Sequence, residues 1–352
     1  MFKDLKIVEL ASVLAGPLVG TFFSELGAEV VKIENASTAG DVTRKWKLPS
    51  EKEEDISAYY ASANYNKKVL MLNLKEPKDY RLAIKEIESA DIVITNYKFG
   101  DAKKMALDYA TLKKLNPSII YGEINGYGAE NKRTAFDVVL QAESGFMFMN
   151  GSAESGPIKM PVALIDILAA HQLKEGLLCA IIKKLKTNEG SNVTVSLYDA
   201  AVSSLVNQAT NWLMAKHVPQ PLGTKHPNIA PYGDMFLSKD DKYIVLAVGA
   251  NRQFENLRKA LLLEVLKDDI RFIDNSSRVT NRIALNVYLQ NKISEINATD
   301  CIELFLSLNV PAGIVKNMEE VFQNPLSESL ILKENIEGTN TTKLKTAVFK
   351  IS

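Results

Sequence analysis

Cysteine and histidine are scarce in this 352-residue chain, with two of the first and three of the second. Cys179 and Cys301 each sit in an apolar stretch, which reads as inert core packing and not as a disulfide or a nucleophile. His171, His217 and His226 are too scattered to form any metal-ligand spacing with them. Net charge is absent as well. The 42 basic residues balance 42 acidic ones, so no global field exists to recruit nucleic acid or an anionic membrane surface. There is no apolar run of about 18 residues to span a bilayer. Nor does a basic segment followed by an apolar run and a cleavage site open the chain. Also missing are the P-loop, the Gly-x-Ser-x-Gly elbow and the Gly-x-Gly-x-x-Gly fingerprint. The composition, 46% hydrophobic and 24% charged, is that of a soluble globular protein, and a reducing cytoplasm is the expected location.

What is present is an alternation of strand and helix patterns. Lys6 to Leu10 reads as a strand, Ala11 to Pro17 as a turn, Leu18 to Leu26 as a helix ending at Gly27, and Glu29 to Glu34 as a second strand. This is a βαβ unit, which implies parallel strands with a right-handed crossover. The alternation continues through strands at Val69–Leu74, Asp91–Thr95 and Ile119–Glu123, with helices at Tyr80–Ser89 and Met105–Leu115 between them. A doubly wound α/β sheet is therefore expected. Its ligand belongs beyond the carboxyl ends of the strands, in the loops after Leu10, Leu74, Thr95 and Glu123. Ile165 to Lys186 reads as one long apolar helix, Val193 to Leu197 as a strand and Asp199 to Met214 as a helix. The proline-rich stretch His217 to Pro231 reads as a connection between domains. Beyond it come a strand at Tyr243–Val248, helix at Gln253–Leu262 and Ser276–Leu308, a break at Pro311–Gly313, and helix again from Ile314 to Val321.

Four features could carry chemistry. A helix amino terminus such as the one after Ala11–Pro17 suits a phosphate or carboxylate, and Glu34 stands where a dinucleotide-binding acid would. Only Gly16 is present of the three glycines that reading needs. Asp166, in Pro161-Val-Ala-Leu-Ile-Asp166, is an ionisable group among apolar neighbours at the start of the long helix. Such a group is costly unless it is paired or used. From spacing it reads first as a helix cap; a partly desolvated nucleophile is the other reading, and spacing does not settle the choice. Asp137 is a second candidate buried acid, with a hydrogen-bonding role expected. Lys67, Lys68, Lys75, Lys98, Lys103 and Lys104 flank strands, on a solvated face or near a phosphate.

An ordered series of short segments resembles the family III CoA-transferases, which include formyl-CoA transferase and carnitine CoA-transferase. The series comprises Lys6-Ile-Val-Glu-Leu10 with Val13-Leu-Ala-Gly-Pro17, Leu26-Gly-Ala-Glu-Val-Val-Lys-Ile-Glu34, Gly40-Asp-Val-Thr-Arg44 and Asn64-Tyr-Asn-Lys-Lys68. It continues through Leu72-Asn-Leu-Lys75, Asp91-Ile-Val-Ile-Thr-Asn-Tyr97, Asn125-Gly-Tyr127, Asp137 with Gln141-Ala-Glu-Ser-Gly145, Pro161 to Asp166, Ala230-Pro-Tyr232 and Val310-Pro-Ala-Gly313.

The resemblance implies a transfer of CoA from an acyl-CoA to a small carboxylic acid, with Asp166 as the nucleophile that carries CoA as an aspartyl thioester. It implies CoA contacts at Val13, Leu14, Ala15, Leu72, Lys75, Asn96, Tyr97 and Lys104, with no cofactor besides the CoA thioester and no metal. Two positions depart from the family pattern. Asn35 stands where a basic residue is common, and Lys104 where an arginine is frequent, which keeps the charge but loses the two-pronged phosphate fork. The α-methylacyl-CoA racemases of the same family carry a histidine where this chain has Phe136 and an acid where it has Asn251. Neither replacement can act as a general base, so racemisation recedes; a CoA-binding protein without turnover is the other alternative. The expected architecture is an α/β fold. It has a large Rossmann-like domain (1–190 and 305–352), a linker helix region (191–219) and a smaller α+β domain (220–304). Two chains are expected to form an interlocked, ring-like homodimer.

Overall fold

Strands in the first part of the chain carry short unbroken apolar runs, Ile7-Val8, Val30-Val31, Val69–Leu72 and Ile92–Ile94, as befits strands covered on both faces. The computed structural model describes residues 1–128 and 130–352 and shows how that covering is achieved. Six parallel strands, β1 (Lys6–Glu9), β2 (Glu29–Asn35), β3 (Lys68–Leu72), β4 (Ile92–Thr95), β5 (Ile120–Asn125) and β6 (Ser191–Ser196), form one sheet in the order β3-β2-β1-β4-β5-β6. Successive residues serve opposite layers. Ile7, Ile92, Ile94 and Ile120 pack under the helices Ala15–Glu25 and Leu164–Thr187. Val8, Val93 and Tyr121 face the layer that includes the helices Pro77–Glu88 and Tyr109–Leu115. The strand order reverses between β1 and β4, and a crevice opens at their carboxyl ends, where such folds bind ligands.

The chain divides into two units. The larger holds Met1–Met147, Lys159–Pro219 and Leu326–Ser352; the smaller holds Phe148–Ile158 and Gln220–Pro325. The smaller unit has an antiparallel sheet of Ala312–Ile314, Tyr243–Ala247 and Tyr232–Leu237, with helices packed on a core of Phe236, Leu257, Leu289 and Phe305. The buried Arg278 pins this unit's loops by donating to the carbonyl oxygens of Ala230 and Phe272 and to Oδ1 of Asn251.

The structure differs from the sequence expectation in three places. Residues 191–219 are not a linker, because β6 completes the large sheet by pairing with β5 from Ile120↔Ser191 to Asn125↔Ser196. Residues 305–325 belong to the smaller unit, because Ala312–Ile314, at the break expected over Pro311–Gly313, pairs with Tyr243–Ala247 as a strand. The helix expected over Asp199–Met214 breaks after Ser203, where the hydroxyls of Ser203 and Ser204 both donate to the carbonyl of Ala200 and compete with the backbone. The polar segment after Ser327, in which the sequence pattern marks no element, forms a hairpin, Ile331–Ile336 with Thr339–Leu344. Glu25 anchors the chain beyond it by accepting the N–H groups of Thr346 and Ala347 and the ammonium of Lys343.

The sheet carries buried charge near the crevice. Glu9 and Lys32 are register neighbours on β1 and β2, both fully buried, 3.0 Å apart. Lys32 also reaches Asp41 at 3.2 Å, and Lys67 reaches Glu9 at 2.8 Å. Gly20 makes room for this group, since a Cβ there would lie 1.9 Å from Glu9 Oε2. Alongside, Glu34 accepts from Arg44 Nε (2.6 Å), Tyr60 Oη (2.6 Å) and the Asp41 N–H (3.0 Å). Burial alone disfavours the charge on Lys32, but Glu9, Asp41 and Glu34 more than restore it, so its pKa ends above the ordinary value. Lys32→Met leaves Glu9 and Asp41 buried with less compensation. Urea denaturation should register a loss of about 3–5 kcal/mol, and a loss below about 1 kcal/mol would show that the cluster does not support the fold.

Candidate active site

The turn after β1 is held in an unfavourable backbone conformation from several directions. Val13 has φ +71°, a region that a β-branched residue rarely enters. Its N–H donates to both carboxylate oxygens of Asp41, at 3.3 and 3.1 Å. Lys32 holds Asp41 and also donates to the Ala11 carbonyl at 3.0 Å. From β4's end, Asn96 brackets Ser12, accepting its N–H at 3.0 Å and donating to its carbonyl at 2.7 Å. Gly16 lets the helix start close by, because a Cβ there would come within 2.3 Å of Ala11 Cβ.

Two cavities share this turn. The larger, about 590 Å³, lies beyond the ends of β1 to β4 and is lined by Leu10, Ile33, Leu72, Leu74, Met105 and others. Lys45 and Lys75 stand in its wall, and neither ammonium has an ion-pair partner among the described residues. Glu34 lines it too, but both its oxygens are occupied by Arg44, Tyr60 and the Asp41 N–H. The smaller cavity, about 250 Å³, is lined by the turn, by the loops after β4 and β5, and by Asp137 and Asp166. Ser12 and Tyr97 line both cavities.

The residues singled out from the sequence are thus largely brought together. Val13, Leu14, Ala15 and Asn96 line the smaller cavity, Leu72 and Lys75 the larger, and Tyr97 both. The side-chain amide of Asn96 is spent on Ser12. Lys104 lines neither cavity and pairs with Asp101 at 2.8 Å on an exposed turn. Lys45 escaped the sequence reading. Its signal was its place directly after Gly40–Arg44, a turn that Asp41 caps by accepting from Thr43.

Asp166 occupies the first turn of the helix Leu164–Thr187, yet it does not cap it. That task falls to Asp137, whose Oδ1 accepts the Ile165 N–H at 2.8 Å and whose Oδ2 accepts from Gln141 at 2.7 Å. Gln141 in turn holds the chain before the helix, accepting the Met160 N–H at 2.8 Å and donating to the Val162 carbonyl at 3.3 Å. The carboxylate of Asp166 has no hydrogen-bond partner among the described residues. Burial, and next the nearby negative Asp137, push its pKa up to about 7. Here is a carboxylate at a cavity wall with unused lone pairs and weakened solvation, which suits it to attack an electrophilic carbon. The racemase constellation is not assembled. Phe136 is 64% exposed, and Asn251 is engaged by Arg278.

The family model for CoA-transferase family III matches residues 2–352. The chain is 33% identical to succinate–glutarate CoA-transferase of Agrobacterium fabrum over 347 residues, which cover 97% of this chain and 86% of that protein. It is 35% identical to succinyl-CoA:glutarate CoA-transferase of Homo sapiens over 327 residues, covering 92% and 73% of the two. Among solved structures, a CAIB/BAIF family protein from Brucella suis superposes with a TM-score of 0.89 at 33% identity, over 99% of this chain and 92% of that one.

The raised pKa of Asp166 has a consequence for stability. Between its ordinary value of 3.8 and about 7, the folded state retains a proton that the unfolded state has released. The wild-type protein therefore loses stability as pH climbs through that window, and the loss is complete above it. Asp166→Asn lacks this titration. The variant should gain over wild type by about 1–4 kcal/mol above pH 7, the upper figure discounted for partial solvent access, and the gain should fade toward pH 4. Urea melts across this range measure it; a gap that stays constant with pH would refute the environment described for Asp166.

Proposed function

The chain belongs to CoA-transferase family III, and from that membership we propose that it moves CoA between an acyl-CoA and a small carboxylic acid through a thioester on Asp166. The observation that carries the reading is the division of labour at the long helix. Asp137 caps it, and Asp166, at a cavity wall, is left with no hydrogen-bond partner among the described residues. The larger cavity beside it, with Lys45 and Lys75 in its wall, offers room and charge for the nucleotide end of CoA. Val13, Leu14 and Ala15 line the smaller cavity together with Asp166.

In the proposed sequence, an Asp166 oxygen attacks the thioester carbonyl carbon. The carbon–sulfur bond breaks, giving a mixed anhydride and CoA thiolate. The thiolate then attacks the aspartyl carbonyl and expels the donor acid as its carboxylate, which leaves CoA on Asp166. An acceptor carboxylate attacks the same carbonyl and displaces the thiolate. The thiolate finally attacks the acceptor's acyl carbon, forming the new acyl-CoA and restoring the Asp166 carboxylate. Each step exchanges one acyl–heteroatom bond for another, so no net proton or electron is consumed. The nucleophile must be ionised, so kcat/KM should rise with pH through about 7. The relatives named above act on succinate and glutarate, which supports a small carboxylic acid as acceptor here. We also infer a homodimer, supported by the exposed apolar residues Val206, Leu213 and Met214 on one short helix.

Incubation with acyl-CoA and hydroxylamine should convert Asp166 to its hydroxamate, seen as a mass change on the peptide containing it. Asp166→Ala should lose transfer by a factor of about 10³ or more. An unmodified peptide together with undiminished turnover in the variant would overturn the mechanism.

A further inference from the structure

One residue in the wall of the Asp166 cavity holds a backbone angle that it does not favour. At φ +71°, the β-branched Val13 carries strain equivalent to roughly a 5- to 150-fold bias toward relaxed conformers. Such strain persists only where the surroundings over-determine it. Asp41 supplies the main restraint. It is buried, and both its oxygens accept the Val13 N–H, at 3.3 and 3.1 Å. Asp41 is itself fixed from three sides. Lys32 Nζ reaches its Oδ2 at 3.2 Å, and the Thr43 N–H and hydroxyl donate to its Oδ1 at 3.0 and 2.8 Å. Its own N–H donates to the buried Glu34 at 3.0 Å. Asn96 braces the preceding residue, exchanging two hydrogen bonds with the Ser12 backbone at 3.0 and 2.7 Å.

Close packing of the helix Ala15–Glu25 against this turn is a separate matter, provided by Gly16. The angle at Val13 sets the course of the backbone through Leu14 and Ala15, which line the smaller cavity with Asp166. Asp41 lines the larger cavity and not the smaller, so its effect on the reacting groups runs through Val13. It also caps the turn Val42–Lys45 and pairs with Lys32. Loss of those two contacts would be felt equally whatever residue stood at position 13. A restraint on strain behaves otherwise, because it matters only while residue 13 resists the angle. Resting on the CoA-transfer reading, we propose that Asp41 is a positioning residue for that reaction. It holds Val13 in its strained conformation so that the Val13–Ala15 wall is set for a thioester beside Asp166, with Asn96 as a second brace.

Asp41→Asn can keep an oxygen for the Thr43 N–H but turns an amide donor toward Val13 and Lys32. With succinyl-CoA as donor and glutarate as acceptor, its kcat/KM for succinyl-CoA should fall about tenfold or more, and hydroxamate formation on Asp166 should slow in step. In a Val13→Gly background the same change should cost less than about threefold, because glycine takes a positive φ unaided. The comparison is made within each background, so the missing Val13 side chain cancels. Urea melts establish that every protein compared is folded at the assay temperature. Equal losses in the two backgrounds would assign Asp41 to folding or to direct CoA contact and overturn the proposal, as would wild-type kcat/KM in Asp41→Asn. If that variant does not fold, Asn96→Ala decides, since it leaves the buried charge cluster intact. A loss of about threefold or more that disappears in the Val13→Gly background upholds the positioning role, and an equal loss or none refutes it. A wild-type protein that gives neither transfer with this pair nor hydroxamate defeats the transfer reading before any variant is compared, and the positioning role falls with it. An active wild type with background-independent losses defeats the positioning role alone.

Discussion

Everything at the carboxyl edge of the sheet depends on one ammonium group that never touches water. Lys32 Nζ binds Glu9, Asp41 and the Ala11 carbonyl, and its side chain has no solvent exposure. A charge in that position costs several kcal/mol in lost hydration unless it is surrounded by opposite charge and acceptors. Glu9, Asp41 and a carbonyl provide both. The return on that arrangement is geometric. Lys32 fixes Asp41, Asp41 fixes the N–H of Val13, and Val13 is kept in a backbone conformation it would otherwise leave. The strain therefore sits in the turn between the two cavities, while the interactions that sustain it lie behind in the sheet.

The two acids near the long helix illustrate how neighbouring carboxylates acquire different tasks. Asp137 accepts two hydrogen bonds and caps the helix. Asp166, in the helix's first turn, accepts none among the described residues and is raised toward neutrality by burial and by Asp137. For the nucleophile proposed above, such an elevation is useful up to a point. A carboxylate that is poorly solvated attacks more readily, but one that is protonated does not attack at all. A value near 7 keeps a sizeable anionic fraction at neutral pH without the stabilisation that would dull the group. Two carboxylates whose surroundings push them toward different tasks are a recurrent mark of catalytic sites.

Much of the fold was legible because its strands are short apolar runs at βαβ spacing, and the crevice follows from sheet order alone. Asp166 and Asp137 could both be noticed as acids among apolar neighbours. Which of them capped the helix could not be known, since the choice depends on a contact between Asp137 and Ile165 across 28 positions of sequence. The terminal hairpin was hidden for a similar reason. Its polar residues have no periodic burial of their own, and the segment is held by Glu25 and Arg44 from distant parts of the chain. Glu34 misled in the opposite direction: it stands where a ribose ligand would be expected, but its oxygens serve Arg44 and Tyr60. Side chains committed to long-range partners are what local pattern cannot distinguish from free ones.

The strand order β3-β2-β1-β4-β5-β6 is that of dinucleotide-binding folds, yet the first turn lacks the glycine triplet those folds use. Glycines there serve to permit unusual dihedral angles and a close backbone approach. In this chain the same ends are reached by other means. The unusual angle belongs to Val13 and is enforced by Asp41; close approach needs only Gly16; and Asn96 fixes the peptide of Ser12 from the neighbouring strand. A glycine turn adapts to whatever phosphate it meets. A turn clamped by side chains is set before the ligand arrives, so less ordering remains to be done on binding, and the side chain of Val13 can shape the wall of the cavity that holds Asp166.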